Sequence, residues 1–204
     1  MLFRSLGRIV RPLVARVDIR GLEHLPASGA CIICPNHQSY LDAFLLCSLF
    51  PFPVFAQLFF VGAVEYFETD FTKWFARTAN LVPVDPDSNL VPAMQAGAFG
   101  LAHGKILVLF PEGERSMDGT VRRFKKGAPI LAQHLGVPIV PVAIKGAFDI
   151  WPRNRGLSWS RIMPWSGHRV TITIGEPMRF DESADYTEST RQLHDRVDAL
   201  WRAN

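Results

Sequence analysis

Disulfide chemistry has almost no material in this sequence. Its 204 residues include three cysteines, Cys31, Cys34 and Cys47. An odd, small number without framework spacing fits a reducing compartment. Cys31 and Cys34 form a C-x-x-C, with His37 three residues on. That segment reads as a strand, where positions three apart face opposite sides. No second ligand pair follows, so the pair reads as buried small hydrophobes, and no metal site is expected. Charge of one sign is also scarce: 22 Lys and Arg stand against 19 Asp and Glu, a net charge of +3. There is no basic stripe interleaved with aromatics, which argues against nucleic acid as a partner. Low-complexity tracts, charge runs and internal repeats are missing, so disorder is confined to the termini. The longest apolar stretch, residues 43–64, contains Gln57 and is broken by Pro51 and Pro53. A single spanning helix is therefore not expected there. No secretory signal is evident, because arginines interrupt the only N-terminal apolar run.

What remains is a chain with 48% apolar residues, enough for one large domain with a sizeable core. The first twenty residues carry Arg4, Arg8, Arg11, Arg16 and Arg20 against Asp18 alone. Leu2, Leu6, Ile9 and Leu13 recur at helical spacing between them. Residues 1–16 thus read as a short basic amphipathic helix, suited to an anionic bilayer interface. Residues 17–204 form the remaining domain.

Along that domain, apolar runs alternate with helical patterns. Strands are expected at 17–20, 30–34, 54–57, 81–84, 106–110, 139–144 and, more exposed, 170–174. Helices are expected from Ser39 through Leu49, near 63–67 and 71–78, and over 92–103, 127–134 and 188–201. Between them, residues 151–167 form an excursion rich in Trp, Arg and Pro. This order predicts a single-domain α/β sandwich with a largely parallel central sheet and helices on both faces. Sites in such sheets gather at the C-terminal ends of strands.

Two segments carry chemistry. In Asn36-His37-Gln38-Ser39-Tyr40-Leu41-Asp42, a His and an Asp lie at the junction of a strand and a helix. A carboxylate holding one imidazole nitrogen makes the other an oriented base. The competing role for Asp42 is a capping box with Ser39, and both roles are expected to coexist only if each carboxylate oxygen serves one. Ser39 as a hydrolytic nucleophile is the other alternative, without the G-x-S-x-G that would support it. In Phe110-Pro111-Glu112-Gly113-Glu114-Arg115-Ser116, a turn leaves a buried strand carrying a carboxylate and an Arg. That Arg can fork onto phosphate or carboxylate. Arg122, Arg123, Lys125 and Lys126 then lead into a helix at Gly127, a basic approach suited to CoA or lipid phosphates. The two segments together suggest a site that deprotonates a hydroxyl beside an anion-binding loop.

The chain resembles the glycerophospholipid acyltransferases of the lysophosphatidic acid acyltransferase type. NHQSYLD matches their N-H-x-S-x-x-D box, FPEGERS their F-P-E-G-x-R-S box, and residues 137–142 their V-P-I-V-P-V segment, in the family's order. The resemblance covers about residues 21–177. It implies acyl transfer from acyl-CoA or an acyl carrier protein to the hydroxyl of a membrane lipid acceptor, on the cytoplasmic face and peripherally bound. His37 would be the general base and Asp42 its partner. Glu112, Gly113 and Arg115 would hold the acceptor's phosphate region. Asn36, Ser39 and Ser116, with Lys105 and Lys126, are expected to line the substrate site. No cofactor or metal is implied. One departure stands out: Pro86 occupies the place of the Arg in the family's G-x-x-F-I-D-R box. Proline cannot make an Arg–phosphate fork, which favours a lysophospholipid with a masked phosphate, or another lipid alcohol, over lysophosphatidic acid as the acceptor. A hydrolase on the same scaffold and a non-catalytic lipid-binding module are the rival readings.

Overall fold

A computed structural model of the chain describes residues 16–26, 28–63, 80–84 and 91–204. The expected amphipathic helix at 1–16, the helices near 63–67 and 71–78, and Pro86 lie, all but Arg16 and Ala63, outside the described residues. Arg16 opens β1 and Ala63 closes β3.

The strands are β1 (Arg16–Arg20), β2 (Cys31–Pro35), β3 (Leu58–Ala63), β4 (Leu81–Val84), β5 (Ile106–Val108), β6 (Ile139–Lys145) and β7 (Arg169–Ile174). The helices are α1 (Asp42–Cys47), α2 (Phe52–Phe55), α3 (Val91–Ala102), α4 (Gly127–Leu135), α5 (Trp159–Ile162) and α6 (Tyr186–Arg202). All seven strands join one sheet in the order β1-β7-β6-β2-β5-β3-β4. Every pairing is parallel except β6 with β7. The largely parallel α/β expectation therefore holds.

The central strands are parallel because their residues are apolar on both sides. All five residues of β2 are buried, as a strand covered on both faces requires. Cys31, Ile33, Ile106, Val108, Val140 and Val142 pack on one face, with Leu46 of α1 and Val54 of α2. Ile32, Cys34, Leu107 and Ile139 pack on the other, with Leu101, Leu131, Leu193 and Val197 of α3, α4 and α6. Cys31 and Cys34 thus sit on opposite faces, and burial pushes the Cys31 thiol up to about 12. Neither has the electropositive, accessible setting of a reactive thiol.

Three expectations need correction. Residues 54–57 are not a strand. Pro51 precedes a one-turn helix at Phe52–Phe55, and the strand begins at Leu58. The Val and Phe there imitate strand composition, whereas the prolines suit a helix's first turn. β7 is not an exposed strand: Val170, Thr171, Ile172 and Ile174 are all buried. Finally, α6 starts at Tyr186, where Asp185 accepts hydrogen bonds from Thr187 N and Glu188 N, both 2.9 Å.

Candidate active site

β6, β2 and β5 are neighbours, and their C-terminal ends release three loops at one edge of the sheet. His37 leaves β2, Glu112 follows β5, and Trp151 follows β6. Asn36 fixes the first loop. Its side-chain Nδ2 donates to Ile144 O (2.9 Å), and its Oδ1 accepts from Ile144 N (2.6 Å). Asn36 is wholly buried, so its amide clamps the loop to β6 rather than lining a substrate site.

His37 follows at once. Its Nδ1 lies 2.8 Å from Asp42 Oδ2. Asp42 is fully buried. The same Oδ2 accepts from Gln38 N (2.6 Å) and Ser39 N (2.8 Å). One oxygen therefore serves both the imidazole and the turn. The expected division between two oxygens is wrong, and Oδ1 has no hydrogen-bond partner among the described residues. An oxygen that takes two backbone N–H groups acts as an acceptor here, which assigns the proton on the imidazole to Nδ1 and leaves Nε2 as the basic atom. The ring also stacks on Phe110, centroids 3.9 Å apart and planes at 24°. Hydrogen bond and stacking together fix the ring's plane, while 17% of the side chain stays exposed to solvent.

The second loop grips the first through the backbone. His37 N donates to Glu112 Oε1 (3.0 Å), and Ser116 N donates to His37 O (2.8 Å). Glu112 is 4% exposed. Burial pushes its carboxyl up to about 7; the His37 and Arg122 amide hydrogens pull it down, and the nearby Asp42 charge adds to the rise. Gly113 has φ 79, a conformation L side chains rarely adopt. A β-carbon there would also run into the Lys125 side chain, its nearest atom being Nζ at 2.6 Å. Lys125 thus lies against this turn, and its N–H donates to Pro111 O (2.7 Å).

Arg115 is 8% exposed, its guanidinium 3.7 Å above the centroid of the Tyr40 ring. Tyr40 in turn packs on Trp151, centroids 5.0 Å apart. This stack ties all three loops together. Glu114 points outward and bridges two cations: Arg122 on Oε1 and Arg153 on Oε2, each at 2.7 Å. The Arg153 and Arg122 hydrogen bonds hold its carboxyl below the usual range.

Other expected site residues are engaged elsewhere. Ser39 Oγ donates to Trp151 O (2.9 Å) and accepts from Leu41 N (3.1 Å). It is buried and not aligned on His37, so the nucleophile alternative gains nothing. Ser116 Oγ donates to Asp118 Oδ1 (2.9 Å) and accepts from Gly119 N (3.0 Å), shaping the following turn. Lys105 precedes β5, at the end of the sheet opposite His37, beside Gly100 and Phe99. It cannot share a ligand with His37. Lys126 Nζ donates to Thr187 Oγ1 (2.8 Å), joining the starts of α4 and α6. Lys125, not Lys126, reaches the turn at Gly113. Lys125 belongs to the basic approach expected before Gly127, whereas Phe110, Tyr40 and Trp151 are site residues that the sequence reading does not single out. Phe110 and Tyr40 lie within the two motifs, whereas Trp151 carries no local signal.

Chemically, the edge presents an oriented base on a rigid loop, beside a turn bearing Arg115 and Lys125. The family model described as Acyltransferase matches residues 16–145. The chain is 36% identical over 142 residues to a chloroplastic 1-acyl-sn-glycerol-3-phosphate acyltransferase of Brassica napus, covering 67% of this chain and 39% of that protein. It is 30% identical over 197 residues to the 1-acyl-sn-glycerol-3-phosphate acyltransferase of Pseudomonas aeruginosa, covering 95% of this chain and 70% of that one. The crystal structure of the 1-acyl-sn-glycerophosphate (LPA) acyltransferase PlsC from Thermotoga maritima superposes with a TM-score of 0.79 at 26% identity, over 99% of this chain and 78% of that one. The chain spans about two fifths of the length of the plant relatives, which run 39% and 38%.

Proposed function

Since this chain belongs to the acyltransferase family that includes the 1-acyl-sn-glycerol-3-phosphate acyltransferases, we propose that it transfers a fatty acyl group from an acyl thioester of CoA or acyl carrier protein to the free hydroxyl of a 1-acyl-sn-glycerol-3-phosphate. The observation that carries this reading is the His37–Asp42 contact of 2.8 Å on a loop pinned at both its N–H and its C=O by the neighbouring turn.

His37 Nε2 takes the proton as the lipid oxygen attacks the thioester carbonyl carbon. Asp42 stabilises the imidazolium that forms. The tetrahedral adduct collapses with cleavage of the C–S bond, and the departing thiolate takes the proton from Nε2. The products are the new ester and a free thiol. No acyl-enzyme is needed, which suits the engaged hydroxyl of Ser39. Arg115 and Lys125, beside the Gly113 turn, supply the charge that a phosphate headgroup requires. A peripheral position on the cytoplasmic face, against anionic lipid, belongs to the same reading. Its support is the arginine series from Arg4 to Arg20 among apolar residues. Among the described residues no helix is long and apolar enough to cross a membrane.

The test is a panel of lysophosphatidic acid, lysophospholipids and other lipid alcohols, with labelled acyl-CoA and acyl carrier protein, read by lipid mass and thiol release. Transfer to lysophosphatidic acid is expected, a reading supported by the relatives' acceptor and opposed to the preference drawn from Pro86. His37→Ala is expected to lower turnover at least about a hundredfold, the lower end for a lost acid–base group. Near-normal transfer by that variant overturns the mechanism, and free acid as the sole product makes the protein a hydrolase.

A further inference from the structure

The two faces of the sheet are covered unequally. α3, α4 and α6, of 12, 9 and 17 residues, lie over one face. Over the other lie α1 of six residues and α2 of four, and Leu157 packs there with Ile162 of the four-residue α5. From this thin cover Phe44, Phe52 and Trp159 emerge 46%, 49% and 67% exposed, and Trp165 just beyond α5 is 81% exposed. Nothing in the acyl-transfer chemistry uses these two indoles.

The stretch of chain that carries them is cationic. Residues 151–169 contain Arg153, Arg155, Arg161 and Arg169 among three tryptophans and no Asp or Glu, so the expectation of no basic stretch interleaved with aromatics fails here. All four arginines are exposed. Arg153 is balanced by Glu114 and Arg169 by Asp18. Arg155 and Arg161 have no carboxylate partner among the described residues; Arg155 lies over the Phe148 ring, and Arg161 lies 3.5 Å from His168 Nδ1. Indoles beside uncompensated guanidinium groups fit the boundary between headgroups and acyl chains. The segment is also tied to the catalytic edge, because Trp151 O accepts from Ser39 Oγ and Tyr40 N.

We infer that Trp159 and Trp165, flanked in sequence by Arg155 and Arg161, dock this chain on an anionic lipid surface, a contact made by residues other than the N-terminal arginine series. The choice of lipid over nucleic acid rests on the proposed lipid acceptor; the location of the contact does not. Docking there sets the surface next to the loop that starts at Trp151, so an acceptor leaving the headgroup layer has a short path to His37.

The full chain is tested by flotation with phosphatidylcholine vesicles, with and without phosphatidylglycerol, and by tryptophan quenching with brominated lipid. Two variants are compared, Trp159→Ser with Trp165→Ser, and Arg155→Gln with Arg161→Gln. Both pairs are surface changes, and circular dichroism checks their fold. The indole pair is expected to bind anionic vesicles about tenfold more weakly or worse and to lose most quenching. The arginine pair is expected to lose the preference for phosphatidylglycerol. Both are expected to keep full transfer to an acceptor dispersed in detergent. Unchanged vesicle binding by the indole pair overturns the inference. So does tighter binding of a single-stranded oligonucleotide than of vesicles at equal salt. Loss of vesicle binding in a chain that shows no detergent-phase transfer at all sinks the acyltransferase reading and leaves this contact standing.

Discussion

Asp42 Oδ2 receives an imidazole N–H and two backbone amides, so one atom both orients the base and closes the turn beneath it. Asp42→Asn keeps a carbonyl oxygen for these donors but loses the charge that stabilises an imidazolium. We expect the fold to survive and kcat to fall by about a hundredfold or more, with KM for the thioester little changed. A variant with wild-type kcat and lowered stability would make Asp42 a capping residue only. Glu112 gives a second, independent handle. Its folded-state pKa of about 7 lies above the ordinary 4.5, so the folded protein holds that proton more tightly than the unfolded chain. Stability from this group is therefore lost as pH rises from about 4.5 to about 7, by up to about 3 kcal/mol. Urea unfolding at about pH 5 and about pH 8 should show that loss, and Glu112→Gln should flatten it; parallel profiles would contradict the assignment. At this scale the meeting of His37 with Asp42 is legible in the sequence, because one short motif keeps the two close to each other. The sequence misled on Asn36, whose partner lies 108 positions away, and on Lys105, which sits near the motif in sequence but across a strand from it in space.

Strands whose residues are apolar on both faces, β2, β5 and β6, were legible because no other element tolerates such runs so short. Helices α3 and α4 were legible from their glycine stops, and Gly136 is in the left-handed region with φ 61. The segment around α2 was not, since four residues are too few for a helical period to emerge from a Phe-rich background. Connections carry their own constraints. Gly146, just after β6, has φ 89, and a β-carbon there would collide with the Arg169 carbonyl. This close approach starts β7 antiparallel to β6 and aims the chain toward Trp151. Gly146→Ala should cost about 2 kcal/mol or more, through backbone strain plus the clash. Gly104→Ala, with φ 73 but open space around the added carbon, should cost about 1 kcal/mol from strain alone. Thermal melts of the two variants should rank in that order.

The described residues are built on a single sheet, and both core layers cross it from β3 to β6. Neither layer can melt without exposing the strands that the other covers. Loss of tertiary signal in near-ultraviolet circular dichroism and loss of far-ultraviolet signal should therefore coincide in urea; two separated transitions would show that the layers are independent. The sheet's outer edge adds a consequence of a different kind. β1 pairs with β7, and Asp18 reaches Arg169 across 151 positions of chain. A ribosome adding about 5–20 residues per second needs on the order of ten to thirty seconds to cover that distance. Through that interval Val17 and Ile19 wait on a nascent chain whose matching strand has yet to be translated, so the order of synthesis lets this edge close only after the other six strands have been made.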